Sequence, residues 1–128
     1  MQRLLLALSA LSLSGCMAGT IYTGGTPQTA SIEELCKVVH WGRGGFDYGS
    51  AGALEELRAR QIFTAGELAS IKDGLPRVGQ SEAAARCALP FADPHMTVTR
   101  RGAVTQWAEP DLGLYVYARA GRVVGVQS

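Results

Sequence analysis

Met96-Thr97-Val98-Thr99-Arg100, Ala103-Val104-Thr105-Gln106-Trp107-Ala108, Leu114-Tyr115-Val116-Tyr117-Ala118 and Val123-Val124-Gly125-Val126-Gln127 set the fold class. From His95 onward the sequence runs in period two, and Gly102, Pro110-Asp111 and Gly121 interrupt it as turn signals. Short alternating runs with no helical stretch between them predict a meander of adjacent antiparallel strands.

Upstream of His95 the period is helical. Ser31-Ile32-Glu33-Glu34 reads as a capping box, with Ile32, Leu35, Val38 and Val39 on one face, and predicts a helix ending near His40. The glycines in Trp41-Gly42-Arg43-Gly44-Gly45-Phe46-Asp47-Tyr48-Gly49 predict a loop. A second helix is expected over 51–61, with Leu54 and Leu57 inward and Glu56/Arg60 paired one turn apart. Thr64-Ala65-Gly66-Glu67 is a second capping box, opening a helix that Gly74 stops. Ser81 caps a short alanine-rich helix, 82–88, which Pro90 ends. Helices first and a small sheet afterwards predict an α+β domain, its N-terminal helices packed on one face of a C-terminal antiparallel β-meander.

The start of the chain carries an address. Met1-Gln2-Arg3 is positive, 4–13 is apolar, and Leu13-Ser14-Gly15-Cys16 has the small residues a lipoprotein signal peptidase needs before its cut. The apolar run is far short of the ~20 residues a spanning helix requires. A signal peptide over 1–15 and acylation of Cys16 are therefore expected, which makes the bilayer the first partner. Cleavage after Ala18 or Gly19, or burial of 4–13 in a core, are the competing readings. Met17 after the cysteine, rather than Asp, favours the outer membrane, by analogy with enteric lipoproteins. Residues 17–30, rich in Gly and Thr, read as a flexible tether of roughly 20 Å reach, leaving 31–128 as one domain.

The whole chain has twelve Lys+Arg and eleven Asp+Glu. Loss of Arg3 with the leader leaves the mature part formally neutral. No dense cationic face is available for nucleic acid, and Arg100-Arg101 reads as a solvated hairpin end. Acylation of Cys16 leaves Cys36 and Cys87 to form a disulfide in an oxidising compartment; separate buried thiols are the alternative. A bridge closing a loop of this length contributes roughly 4 kcal/mol in the chain-entropy model. The residue types of Cys36, His40, Cys87 and His95 would also suit zinc, but the second pair has an unusual spacing across a proline turn. A Cys36–His40 or Cys87–His95 nucleophile pair would need a free, activated thiol. Asp93-Pro94-His95 has no adjacent nucleophile, and Gly42-Arg43-Gly44-Gly45 lacks the Lys-Ser/Thr of a phosphate loop. No catalytic residue, metal or cofactor is assigned.

An ordered set of residues in the C-terminal half carries a resemblance. Val78-Gly79-Gln80-Ser81-Glu82-Ala83-Ala84-Ala85 is followed by Pro90, Gly102, Gln106-Trp107, Leu114-Tyr115-Val116-Tyr117 and Gly121-Arg122-Val123. The set resembles the SmpA/OmlA-like outer-membrane lipoproteins, which share a fold with β-lactamase-inhibitor proteins. It departs at Gln80 (Met in the pattern), at Leu89 (Gly) and at Ala108-Glu109, where the aromatic end of Trp-x-Tyr would stand. The resemblance implies a periplasm-facing outer-membrane location and an accessory role in assembling outer-membrane β-barrels. Trp41, Phe46 and Tyr48 in the glycine loop, with Trp107, Tyr115 and Tyr117 in the sheet, are the candidate binding surface. The expected function is a non-enzymatic, lipid-anchored module that binds an envelope protein. Inhibition of an envelope hydrolase through the sheet face is the alternative, and a zinc-binding or thiol protein a further one.

Overall fold

The computed structural model of the chain describes residues 21–128; the expected leader, the lipid attachment at Cys16 and the start of the expected tether lie outside the described residues. Among those described, four helices precede four strands: α1 (Ile32–Arg43), α2 (Ser50–Ala59), α3 (Ala65–Asp73), α4 (Glu82–Ala88), β1 (Asp93–Thr99), β2 (Gly102–Glu109), β3 (Leu114–Arg119) and β4 (Arg122–Gln127). The strands pair in chain order, each antiparallel to the next. The architecture is α+β, as the period change at His95 predicts.

The three predicted caps are all in place. Glu34 N donates to Ser31 Oγ at 3.1 Å, Glu67 N to Thr64 Oγ1 at 3.1 Å and Ala84 N to Ser81 Oγ at 3.1 Å. Each contributes about 1 kcal/mol by satisfying an otherwise orphaned amide. In the sheet, Ala120-Gly121 joins β3 to β4 with both residues at positive φ, 48° and 76°. That is the geometry hairpins favour for matching strand twist.

The first helix runs one turn further than expected, through Trp41-Gly42-Arg43. Two tertiary contacts override the local glycine signal. A Cβ on Gly42 would lie 2.5 Å from Ser50 Cβ, so only glycine lets α2 begin against α1 there. Arg43 Nη2 donates to Ala88 O at 2.6 Å, Nη1 donates to Ile71 O, and the helix stays wound to present them. Gly44-Gly45 then turns the chain, with Phe46 N donating to Trp41 O at 2.9 Å.

Residues 21–30 are not a free tether. Tyr22 and Ala30 are buried, Pro27–Thr29 forms a 3-10 turn, and Thr23 Oγ1 donates to Glu34. Arg60 Nη2 reaches the carbonyls of Ala30 at 2.7 Å and Pro27 at 3.2 Å, while Arg60 Nε pairs with Glu56 at 3.1 Å. The composition of this stretch favours flexibility; a cation thirty residues away opposes it by gathering the carbonyls of Pro27 and Ala30 on one guanidinium.

The core lies between the helices and one face of the sheet. Leu35, Val38, Leu57, Ile71, Leu89, Val116 and Val123 are its largest fully buried side chains. Along β3, Leu114, Val116 and Ala118 are buried and Tyr115, Tyr117 and Arg119 are partly exposed, the alternation of a sheet covered on one side. Cys36 and Cys87 form a disulfide that ties α1 to α4, with Cα atoms 4.9 Å apart.

Candidate functional site

The two edges of the sheet are treated differently. Residues 79–82 pair with the start of β4 and the turn before it: Gly79 N donates to Val123 O at 2.8 Å, Val123 N to Gln80 O at 2.8 Å and Glu82 N to Gly121 O at 2.9 Å. On the opposite edge, β1 pairs with β2 alone, and all seven of its residues are exposed. Antiparallel pairing directs only half of a strand's amides and carbonyls to one neighbour. The other half of those on β1 therefore face outward, apart from the amide that Pro94 lacks.

Directly opposed residues share a face. Pro94 opposes Trp107, Met96 opposes Thr105 and Val98 opposes Ala103, while Trp107 opposes the buried Val116. Pro94, Met96 and Val98 thus lie on the helix side of the sheet, but the helices stop short of them: Met96 is 70% and Val98 78% exposed. Where the helices do reach, an apolar groove of about 740 Å³ lies between α1, α4 and the first two strands. The disulfide, Ile62, Phe63, Leu89, Pro94 and Trp107 line it. Trp107 is held in place from two directions. Its indole Nε1 donates to Glu82 Oε1 at 2.8 Å, and the Arg86 guanidinium sits 4.9 Å from the ring centroid.

The six aromatic candidates do not form one surface. Trp41, Phe46 and Tyr48 cluster with Ile21 around an open hollow of about 530 Å³ at the end of α1. Trp107 belongs to the groove. Tyr115 and Tyr117 lie on the outer sheet face, where Tyr117 Oη accepts from Gln106 Nε2 at 3.0 Å and donates to Gln127 Oε1 at 3.1 Å. This division follows from strand register, which composition does not specify.

Behind these surfaces sits a buried polar framework. Glu67 caps its own helix by accepting from Thr64 N at 3.0 Å, and caps the next by accepting from Ser81 N at 2.8 Å and Ser81 Oγ at 2.6 Å. Burial pushes its carboxyl up, but these hydrogen bonds outweigh that and hold it below the ordinary glutamate value of 4.5. Gln80, which departs from the family pattern, bridges Arg77 N at 3.0 Å and Ser70 Oγ at 2.8 Å, polar contacts that a Met side chain could not make. His40 packs its ring edge-on to Phe91 at 5.1 Å, and its Nδ1 lies 3.1 Å from Arg43 Nη2. Burial first, then the Arg43 charge, lowers the His40 pKa below 6.5.

The disulfide consumes both thiols that the zinc and nucleophile alternatives require. The candidate Cys36–His40–Cys87–His95 ligand set therefore loses its soft donors, and neither cysteine is a thiolate. Among the described residues no group of three or more His, Cys, Asp or Glu side chains is placed to hold a metal ion, and no helix is long and apolar enough to cross a membrane. No family model, curated protein or solved structure matches the chain. Sequence reasoning missed the bare β1 edge. Met96 and Val98 alternate correctly for a strand, and their exposure is set by where the helices pack, which the alternation does not encode.

Proposed function

We propose that the chain is a lipid-anchored envelope lipoprotein whose α+β domain is a non-enzymatic docking module. In this reading β1 receives an extended segment of an envelope protein as an additional strand. The observation that carries it is the contrast between the edges: 79–82 pair with the first residues of β4, whereas β1 has no partner on its outer side and is exposed along its whole length. An added strand would satisfy the outward amides and carbonyls of β1, supplying affinity through the main chain. Met96, Val98 and the groove beside Trp107 would supply apolar selectivity for alternate side chains of the incoming segment. Natural sheets usually blunt such an edge with bulges or inward charges, whereas β1 carries a single early proline. Cys16 and the signal before it provide the anchor, and the resemblance to SmpA/OmlA-like lipoproteins suggests outer-membrane assembly as the setting.

The proposal is tested by site-specific photo-cross-linking in cells of the organism, with the reactive residue at Thr97, Tyr117 or Lys72. The expected result is one protein adduct from position 97, none from 72, and a loss of about tenfold, equivalent to about 1.4 kcal/mol, when Val98→Lys is added. Adducts with lipid alone, or the same adducts from every position, would refute the docking module. An adduct confined to position 117 would move the interaction to the outer sheet face and favour the inhibitor reading.

A further inference from the structure

We infer that the domain seats against the bilayer interface through the aromatic cluster of Ile21, Trp41, Phe46 and Tyr48. The inference rests on the lipoprotein reading above and deepens it by assigning the face that meets the lipid. Phe46 is 63% and Tyr48 52% exposed, and the hollow between them opens to solvent with apolar walls. Trp41 meets Tyr48 edge-on at 6.0 Å and approaches Phe91 at 6.2 Å. Lys37 Nζ stands 5.6 Å from the Phe91 centroid at the border of the cluster. Rings with polar tips beside a lysine on an apolar stem are the composition that settles at the headgroup boundary, where one end is dry and the other wet.

Chain connectivity selects lipid over a protein partner as the occupant. Ile21 lines the hollow and is also the first described residue. Four residues separate it from Cys16, so at full extension of these five Cα steps the backbone of the acylated cysteine lies within about 18 Å of Ile21. Nor can the exit point drift. Buried Tyr22, the Thr23–Glu34 bond and the grip of Arg60 on Ala30 fix the chain directly after Ile21. A short link leaving a fixed point beside an exposed aromatic cluster presents that cluster to the membrane at high effective concentration. The loop geometry favours the same contact, since Gly45, at φ 91°, turns the chain so that Phe46 projects outward rather than continuing α1.

The experiment uses the acylated protein carrying Trp107→Phe, which leaves Trp41 as the sole tryptophan, excited selectively at the red edge of the absorption band. It is incorporated into vesicles of phosphatidylethanolamine and phosphatidylglycerol with or without brominated acyl chains. The expected result is loss of most Trp41 emission in brominated vesicles. Phe46→Glu with Tyr48→Glu should restore it, while flotation with the vesicles is unchanged because the acyl chains still hold. The Phe46→Glu change alone should weaken quenching in the chain that retains both tryptophans, which guards against misfolding of the Trp107 variant. Acylated protein that floats with vesicles yet shows unquenched Trp41 overturns the seating alone. So does a photoreactive residue at position 46 that captures a protein in native membranes and no lipid. An unmodified Cys16 in the mass spectrum of the mature protein overturns the lipoprotein reading and the seating with it.

Discussion

The helical layer and the β1–β2 hairpin divide the domain's duties. In the helical layer a disulfide joins α1 to α4, Arg43 caps the ends of α3 and α4, and Glu67 caps the starts of the same two helices. In the hairpin only β2 is tied to the helices, through Trp107 and Glu82, and every residue of β1 is exposed. Both regions are regular secondary structure, yet the helical layer is cross-linked at several points and the hairpin at Trp107. Stability is thus concentrated away from the surface that is open to a partner, so β1 can gain a neighbour on its outer edge without loosening the core.

The largest effect expected on the rigid half is loss of the disulfide. Cys36→Ala with Cys87→Ala should lower unfolding free energy by about 4 kcal/mol, measured by urea denaturation, if the bridge acts by restricting the unfolded chain. Next comes Arg43→Met. It leaves the carbonyls of Ile71 and Ala88 without their donor and should cost about 3 kcal/mol in the same assay. A smaller effect should appear on acidification. Both Glu67 and His40 have folded pKa values below their unfolded ones, so the unfolded state binds more protons in each window. Stability should decline as pH falls below 6.5 through His40, and further below 4.5 through Glu67. Glu67→Gln should make the lower window shallower, with Glu34 and Asp47 still contributing there, and leave the upper. The smallest change belongs to the hairpin: Val98→Lys should alter stability by less than about 0.5 kcal/mol, despite its effect on cross-linking. A large destabilisation there would erase the contrast between the halves.

Much of the architecture was legible because it is written locally. Ser31-Glu34, Thr64-Glu67 and Ser81 mark helix starts by their own hydrogen-bonding capacity, and the period of two marks the strands. The Cys36–Cys87 pairing was legible by parity once Cys16 is set aside. What was illegible depends on partners distant in the chain. Gly42 reads as a helix breaker until Ser50 is found packed against it, and 21–30 read as a linker until Arg60 reaches across. The aromatic residues were recognisable as surface chemistry, but their separation into a hollow, a groove and an outer face is decided by register and by where α1 stops.

The bridge between α1 and α4 also governs what a protease can accomplish. The cysteines stand 51 positions apart, with α2 and α3 between them, so a cut in the loops flanking either helix leaves both pieces covalently joined. Nicked protein would migrate as one species until reductant is added. A domain clipped there would keep α1 and everything before it joined to α4 and the sheet, so a single cut would not release the C-terminal half.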